Sequence, residues 1–289
     1  FGSRRSPSLP PGRRHTSSGL SPSSCSIMKV EGGVFVVTGG ASGLGEGTVR
    51  MLVEMGGKVV ILDMQDDKGK AVEASCPKGQ AIFIKMNATE EDSIAEAIEA
   101  AGKTWGRIDG CINCAGTGLG VPTVDKKGNP HPMKRFEFII KLNLLGTFSV
   151  ASKCAAWMVK NEPNADGERG VIINVASVAA TDGQNGQAAY SASKAGVVGM
   201  ALPMARDLGT RGVRVNTICP GIMATPLTAG FDTPAGKRVG DSLRSQQIFP
   251  VHRFGLPTDF AHCAKFIIEN PMMTGEHVRL DGGIRMPKL

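Results

Sequence analysis

A chain of 289 residues suits one large α/β domain, and a hydrophobic share of 41% excludes a disordered polypeptide. The net charge of +7 is uneven: Arg4, Arg5, Arg13, Arg14 and Lys29 precede the first acid, Glu31, and the remainder carries only +2, which argues against nucleic-acid binding. Seven irregularly spaced cysteines favour a reducing compartment over a secreted disulfide framework, and no uninterrupted apolar run approaches the roughly 18 residues a membrane helix needs.

Residues 1–27 are rich in Ser, Pro and Arg and lack an apolar period, so their composition predicts disorder. Two origins stay open. An Arg- and Ser-rich, acid-free start has the composition of a mitochondrial transit peptide, against which its prolines count; the alternative is upstream or non-native sequence ahead of Met28. From Met28 to Leu289 strand-like and helix-like stretches alternate, and one domain is the simplest partition. The β-branched run at 34–38 predicts a strand, followed by glycines and a helix through residue 56. A strand at 58–63, a helix at 66–75 and a strand at 81–86 follow. Acids in its first turn and apolar residues at three-to-four spacing make 90–106 a helix. Further strands are expected at 108–115, 171–177, 213–219 and 276–282. Such alternation with apolar strands implies a doubly wound parallel sheet, a Rossmann fold of about seven strands with helices on both faces.

The segment TGGASGLG (38–45) sits between the first strand and the first helix. Gly39, Gly43 and Gly45 permit a tight turn and close backbone approach, and the helix N-terminus then offers free N–H groups to a pyrophosphate. Asp63 ends the next strand, 18 residues after Gly45. That is the place for a carboxylate accepting the ribose hydroxyls of NAD, and it would repel the 2′-phosphate of NADP.

Tyr190 is the only tyrosine in the chain, and Lys194 follows it at helical i+4 spacing, on the same face. A free phenol has a pKa of about 10, too high for a base at neutral pH, and a nearby cation lowers it. Ser177 closes the predicted strand 171–177, at the carboxyl end where ligands sit in a parallel sheet. A tyrosine half-buried beside a solvated lysine is the ordinary explanation of such a pair; the glycine turn, Asp63 and Ser177 together outweigh it.

In order, TGGASGLG, NCAG (113–116), NLLG (143–146), Ser177, YSASK (190–194) and Pro220–Gly221 resemble the short-chain dehydrogenase/reductase family, from about residue 30 to the C-terminus. The resemblance implies a catalytic tetrad of Asn143, Ser177, Tyr190 and Lys194. Ser177 would hold the substrate oxygen, Tyr190 would exchange its proton, Lys194 would lower the tyrosine pKa and bind the nicotinamide ribose, and Asn143 would hold a water. It further implies an NAD site formed by Gly39, Ser42, Gly43, Leu44, Gly45, Asp63, Asn87, Ala88, Asn113, Ala115, Gly116, Tyr190, Lys194, Pro220, Gly221 and Thr225. Asn87 stands where the family usually has an aspartate near adenine; its side-chain oxygen could accept from the adenine amine. Longer segments such as RGVIIN (169–174), GQAAYSASK (186–194) and RLDGGIRM (279–286) resemble the 3-hydroxyacyl-CoA dehydrogenases of that family. This implies oxidation of a short 3-hydroxyacyl-CoA or a hydroxysteroid, a homotetramer, a mitochondrial rather than cytoplasmic address, and substrate contacts from Ser177, Gln184 and Gln187. The alternatives are a 3-oxoacyl reductase of the same family and a non-catalytic scaffold subunit of a mitochondrial complex. The polar segment 226–250 would cover the substrate cleft, either as a solvated lid or with Lys237, Arg238 and Arg244 meeting CoA phosphates.

Other signals carry no chemistry. Cys111 and Cys114, three apart on a strand, point to opposite faces and make no redox or zinc pair. The histidines lack metal-ligand spacing, and no metal is expected. Ser191 and Lys194 match S-x-x-K without its companion motifs. Pro203, inside the Tyr190 helix, is expected to kink it.

Overall fold

Seven short strands pair side by side in the computed structural model, which describes residues 27–246 and 253–286. The expected N-terminal extension therefore lies, but for Ile27, outside the described residues, as does part of the polar segment 226–250. The strands are β1 (Val34–Thr38), β2 (Lys58–Asp63), β3 (Ala81–Lys85), β4 (Gly110–Asn113), β5 (Gly170–Val175), β6 (Val213–Pro220) and β7 (His277–Leu280). All pairings are parallel, in the order β3-β2-β1-β4-β5-β6-β7. Every residue of β1, β4, β5 and β6 is buried; β1 and most of β5 are accordingly continuous apolar runs, whereas β6 also buries Arg214, Asn216 and Thr217.

Alternate strand residues feed two cores. Phe35, Val37 and Ile61 pack with Val49 and Leu52 of α1 (Gly43–Glu54) and with Phe260, Ile267 and Ile268 of α8 (Pro257–Glu269). Val36, Val60 and Leu62 face α3 (Glu91–Trp105), α5 (Thr147–Met158) and α6 (Ala188–Gly209) through Ile98, Cys154 and Met204. The chain runs outward through β2, α2 (Asp66–Ala74) and β3 and returns to start β4 beside β1, so the crossovers reverse between β1 and β4. The carboxyl-end crevice at that reversal is where such sheets bind ligands.

Residues 116–158 and 226–269 were not assigned elements by pattern. They contain α4 (Met133–Ile140), a π-helical turn at Lys141–Gly146, α5, α7 (Lys237–Ser245) and α8. The run Met133–Met158 is 26 residues long and, among the described residues, is the one helix long and apolar enough to cross a membrane by length and composition. Its buried face, including Ile139, Val150, Ala151 and Met158, marks it as a core helix. The helix α6 continues past Pro203 to Gly209, so the proline does not end it. The carbonyl four residues earlier belongs to Gly199, which is exposed and has no neighbour near its missing Cβ, so the ring finds room and water can solvate the carbonyl.

Candidate active site

The turn after β1 is built on close backbone approach. Gly39 and Gly43 have φ of +65° and +56°, and a Cβ on Gly45 would lie 2.1 Å from the Gly39 carbonyl oxygen. Only glycine lets the first turn of α1 sit on β1 this way. Ser42 takes the N-cap position without a side-chain cap bond, so the first N–H groups of α1 remain available to an anion. These residues form one wall of a cavity of about 630 Å³. Asp63 closes its far end; its carboxylate accepts from the backbone N–H of Ala41 (3.2 Å) and Gln65 (3.0 Å). Asn87 and Ala88 from the end of β3, and Ala115 and Gly116 after β4, complete the walls. A dinucleotide fits here: the glycine cradle leaves the space a side chain would fill, and an oriented carboxylate stands beyond it.

A smaller pocket of about 100 Å³ shares Leu44, Cys114, Gly116, Thr117, Thr225 and Leu227 with that cavity. Its other walls include Ser177, Tyr190, Lys194, Pro220 and Gly221. Ser177, past the end of β5, caps a 3₁₀ turn (Val178–Ala180) by accepting from Ala179 N–H at 3.1 Å. It shares this pocket's wall with Tyr190. Burial pushes the Tyr190 phenol up, and the neighbouring Ser177 hydroxyl opposes that. The Lys194 ammonium lies 5.8 Å from the Tyr190 ring centre and donates to the Val175 carbonyl at 2.8 Å. Burial lowers the lysine from 10.5 to about 8, with the Cys114 and Cys219 thiols acting the other way. Lys194 is thus anchored on Val175 and stands beside the Tyr190 ring.

Asn143 sits in the π-helical turn, a backbone irregularity frequent at functional sites. Its Oδ1 accepts from Thr117 N–H (3.0 Å), and its Nδ2 donates to the Thr117 carbonyl (2.9 Å) and Ser193 Oγ (3.1 Å). Its amide therefore pins the loop after β4 to α6. Gly116 passes directly above, where a Cβ would lie 3.0 Å from Asn143 Oδ1 and 3.4 Å from Lys194 Nζ.

Some named residues lie elsewhere. The Asn113 side chain turns into the sheet and donates to Asn174 Oδ1 at 2.9 Å, so it ties β4 to β5 rather than facing the cavity. Gln187 Oε1 accepts from Gln184 N–H at 2.9 Å, and neither glutamine lines the two pockets. Asn87 borders the cavity, but its Oδ1 already accepts from Thr89 N–H and Thr89 Oγ1, and its Nδ2 donates to Glu90. Arg244 pairs with Asp232 and Asp241 and stacks 4.1 Å from the Phe254 ring centre, so it holds α7 in place, and Lys237 pairs with Asp241 at 3.2 Å. Cys111 is buried in β4, whereas Cys114 lies just past the end of that strand and borders the cavity; no metal-binding cluster occurs among the described residues. Pattern missed Thr117, Leu119, Phe138 and Leu142 as cavity walls. Nothing local marks them, because an excursion from β4 brings them in.

A parallel sheet with a dinucleotide-shaped crevice at its reversal point, and a serine–tyrosine–lysine set beside it, defines an oxidoreductase of the dinucleotide-binding class. The sequence model of the short chain dehydrogenase family matches residues 33–235, and the chain belongs to that family. A 3-hydroxyacyl-CoA dehydrogenase type-2 of Rattus norvegicus is 48% identical over 261 residues, covering 90% of this chain and 98% of that protein. One of Drosophila melanogaster is 44% identical, covering 89% and 99%. The crystal structure of a 3-hydroxyacyl-CoA dehydrogenase type-2 from Mycobacterium avium superposes with a TM-score of 0.81 at 40% identity, covering 91% of this chain and 99% of that one.

Proposed function

We propose that the protein oxidises the secondary alcohol of a short-chain 3-hydroxyacyl-CoA to the 3-oxoacyl-CoA with NAD. The observation that carries the chemistry is the convergence of Ser177, Tyr190 and Lys194 on one pocket past the carboxyl end of β5, which opens on the dinucleotide cavity. The substrate class rests on the relatives' names at 44–48% identity. The small volume beside Tyr190 favours a short acyl end over a fused-ring steroid.

Ser177 holds the substrate oxygen against the phenol. Tyr190 takes the hydroxyl proton as the alcohol becomes a ketone. Lys194 stabilises the phenolate, and Asn143 keeps Thr117 and α6 in register around it. Gly39, Gly43, Gly45 and Asp63 would hold the cofactor, which when bound supplies the hydride acceptor. Asp63 supports NAD over NADP, since its carboxylate would accept from both ribose hydroxyls and repel a 2′-phosphate. The test is NADH production from 3-hydroxybutyryl-CoA: Tyr190→Phe loses about a hundredfold or more in kcat while still binding NADH, and unchanged turnover rejects the mechanism.

A homotetramer is supported by the exposed Met133, Phe138, Leu145 and Phe148 on α4 to α5, an apolar face suited to a second copy; sedimentation of wild type and Phe148→Glu checks it. A mitochondrial address rests on the composition of residues 1–27, and import into isolated mitochondria tests it.

A further inference from the structure

We propose that Arg279, on β7 and outside the catalytic pocket, is the positioning residue that holds Ser177 against Tyr190, by clamping the turn after Ser177 to the C-terminal segment. This rests on the role given above to the Ser177–Tyr190 pair.

The guanidinium has its donors fully engaged. Nε donates to Asp281 Oδ2 at 2.9 Å. Nη1 donates to Thr181 Oγ1 at 2.9 Å and to Asp182 Oδ1 at 3.3 Å. Nη2 reaches Asp182 Oδ2 at 2.7 Å, Asp281 Oδ2 at 2.7 Å and the Ile284 carbonyl at 3.2 Å. Asp182 is thus gripped by a two-pronged fork, the strong form of an arginine–carboxylate pair.

Both walls of the catalytic pocket lean on this fork. Thr181 and Asp182 belong to the turn that Ser177 begins: Asp182 N–H donates to the Val178 carbonyl at 2.9 Å, and Thr181 Oγ1 to the same oxygen at 3.3 Å. On the other side, Asp281 presses on Gly221, where a Cβ would lie 2.8 Å from Asp281 Cβ, and Gly221 N–H donates to the Leu280 carbonyl at 2.9 Å. Ser177 itself lies beyond the sheet, two residues past Val175, the last residue of β5. Its Oγ accepts within its own turn, and the residue before it is held by Ala176 N–H donating to the Ile218 carbonyl at 2.8 Å. Without Arg279 the side chains of Thr181 and Asp182 lose their tie to the C-terminal segment. An error of about 1 Å in a reacting group is enough to cost orders of magnitude in rate.

Arg279→Lys keeps the charge but not the planar fork, so it alters geometry with little change in the local field. Tyr190 is the only tyrosine, so the absorbance change on phenol ionisation reports it directly, without substrate. The ionisable groups around it are Lys194 on its own helix and the Cys114 and Cys219 thiols that face Lys194; none is altered. Loosening Ser177 weakens its hydroxyl's influence on the phenol, which opposes that of burial. Arg279→Lys is therefore expected to raise the Tyr190 midpoint and to lower kcat about tenfold or more, with KM for the cofactor unchanged. In a Ser177→Ala background the same substitution is expected to do nothing further. An unchanged Tyr190 midpoint in folded Arg279→Lys, or an equal kcat loss with and without Ser177, overturns the proposal. If Arg279→Lys does not fold, Asp182→Asn weakens the same fork from its other end and is judged by the same two measurements. A wild-type protein inactive on 3-hydroxyacyl-CoA rejects the substrate assignment instead, and the Tyr190 titration still decides the role of Arg279.

Discussion

Replacing Lys194 with methionine should abolish catalysis yet stabilise the protein at neutral pH. The ammonium is only 5% exposed and has one hydrogen-bonded anchor, the Val175 carbonyl at 2.8 Å. Burial takes its pKa from 10.5 to about 8. At about 1.4 kcal/mol per pH unit, keeping the side chain charged in the folded protein below pH 8 costs about 3 kcal/mol. Methionine removes that cost, fills most of the same volume, and leaves the Val175 carbonyl without its donor, a loss of about 1–2 kcal/mol. The net gain at pH 7 is then about 1–2 kcal/mol. Its pH dependence is the sharper signature. Between pH 8 and 10.5 the unfolded lysine is still protonated while the folded one is not, so wild type gains stability relative to the variant as pH rises. The buried thiols of Cys114, pushed up to about 12, and Cys219, pushed up to about 11, weaken both proteins above pH 9 and largely cancel in the difference. Urea unfolding of both proteins at pH 7, 8, 9 and 10 measures the effect, with steady-state turnover expected to fall about a hundredfold or more. A stability difference that does not change with pH would refute the account of Lys194 as a lysine strained by burial.

Asp63→Ser should raise KM for NAD about tenfold or more and admit NADP, because the ribose acceptor and the repulsion of a 2′-phosphate disappear together; kinetics with both cofactors measures it, and retained discrimination counts against that role. Gly45→Ala places a Cβ 2.1 Å from the Gly39 carbonyl, a backbone clash no rotamer relieves. It should cost about 1–3 kcal/mol and weaken NADH binding, seen by thermal unfolding and fluorescence titration. Wild-type affinity would show that the turn is less close-packed than described.

Strands were legible because burial on both faces leaves a local mark. Residues 34–38 and 58–63 match β1 and β2 residue for residue. The strand expected at 108–115 is shorter, Gly110–Asn113, because the chain leaves the sheet at Cys114 to wall the cavity. The glycine turn, Asp63, Ser177, Tyr190 and Lys194 were also legible, since each is fixed by its place on one element. The stretch from Met133 to Met158 was not: exposed Phe138, Leu145 and Phe148 blur its amphipathic period, and the π-helical turn shifts its face midway.

The sequence by itself determined the order of the strands, the cradle for a dinucleotide, and the pairing of a single tyrosine with a lysine one helical turn away. These follow from spacing along one element. Only the tertiary structure decided what each group touches. It anchored Lys194 on the Val175 carbonyl, turned Asn113 into the sheet, and set Arg279 against Asp182, 97 residues away. Such contacts arise from how separate elements pack, and no local pattern encodes the distance between two residues that the chain brings together only on folding.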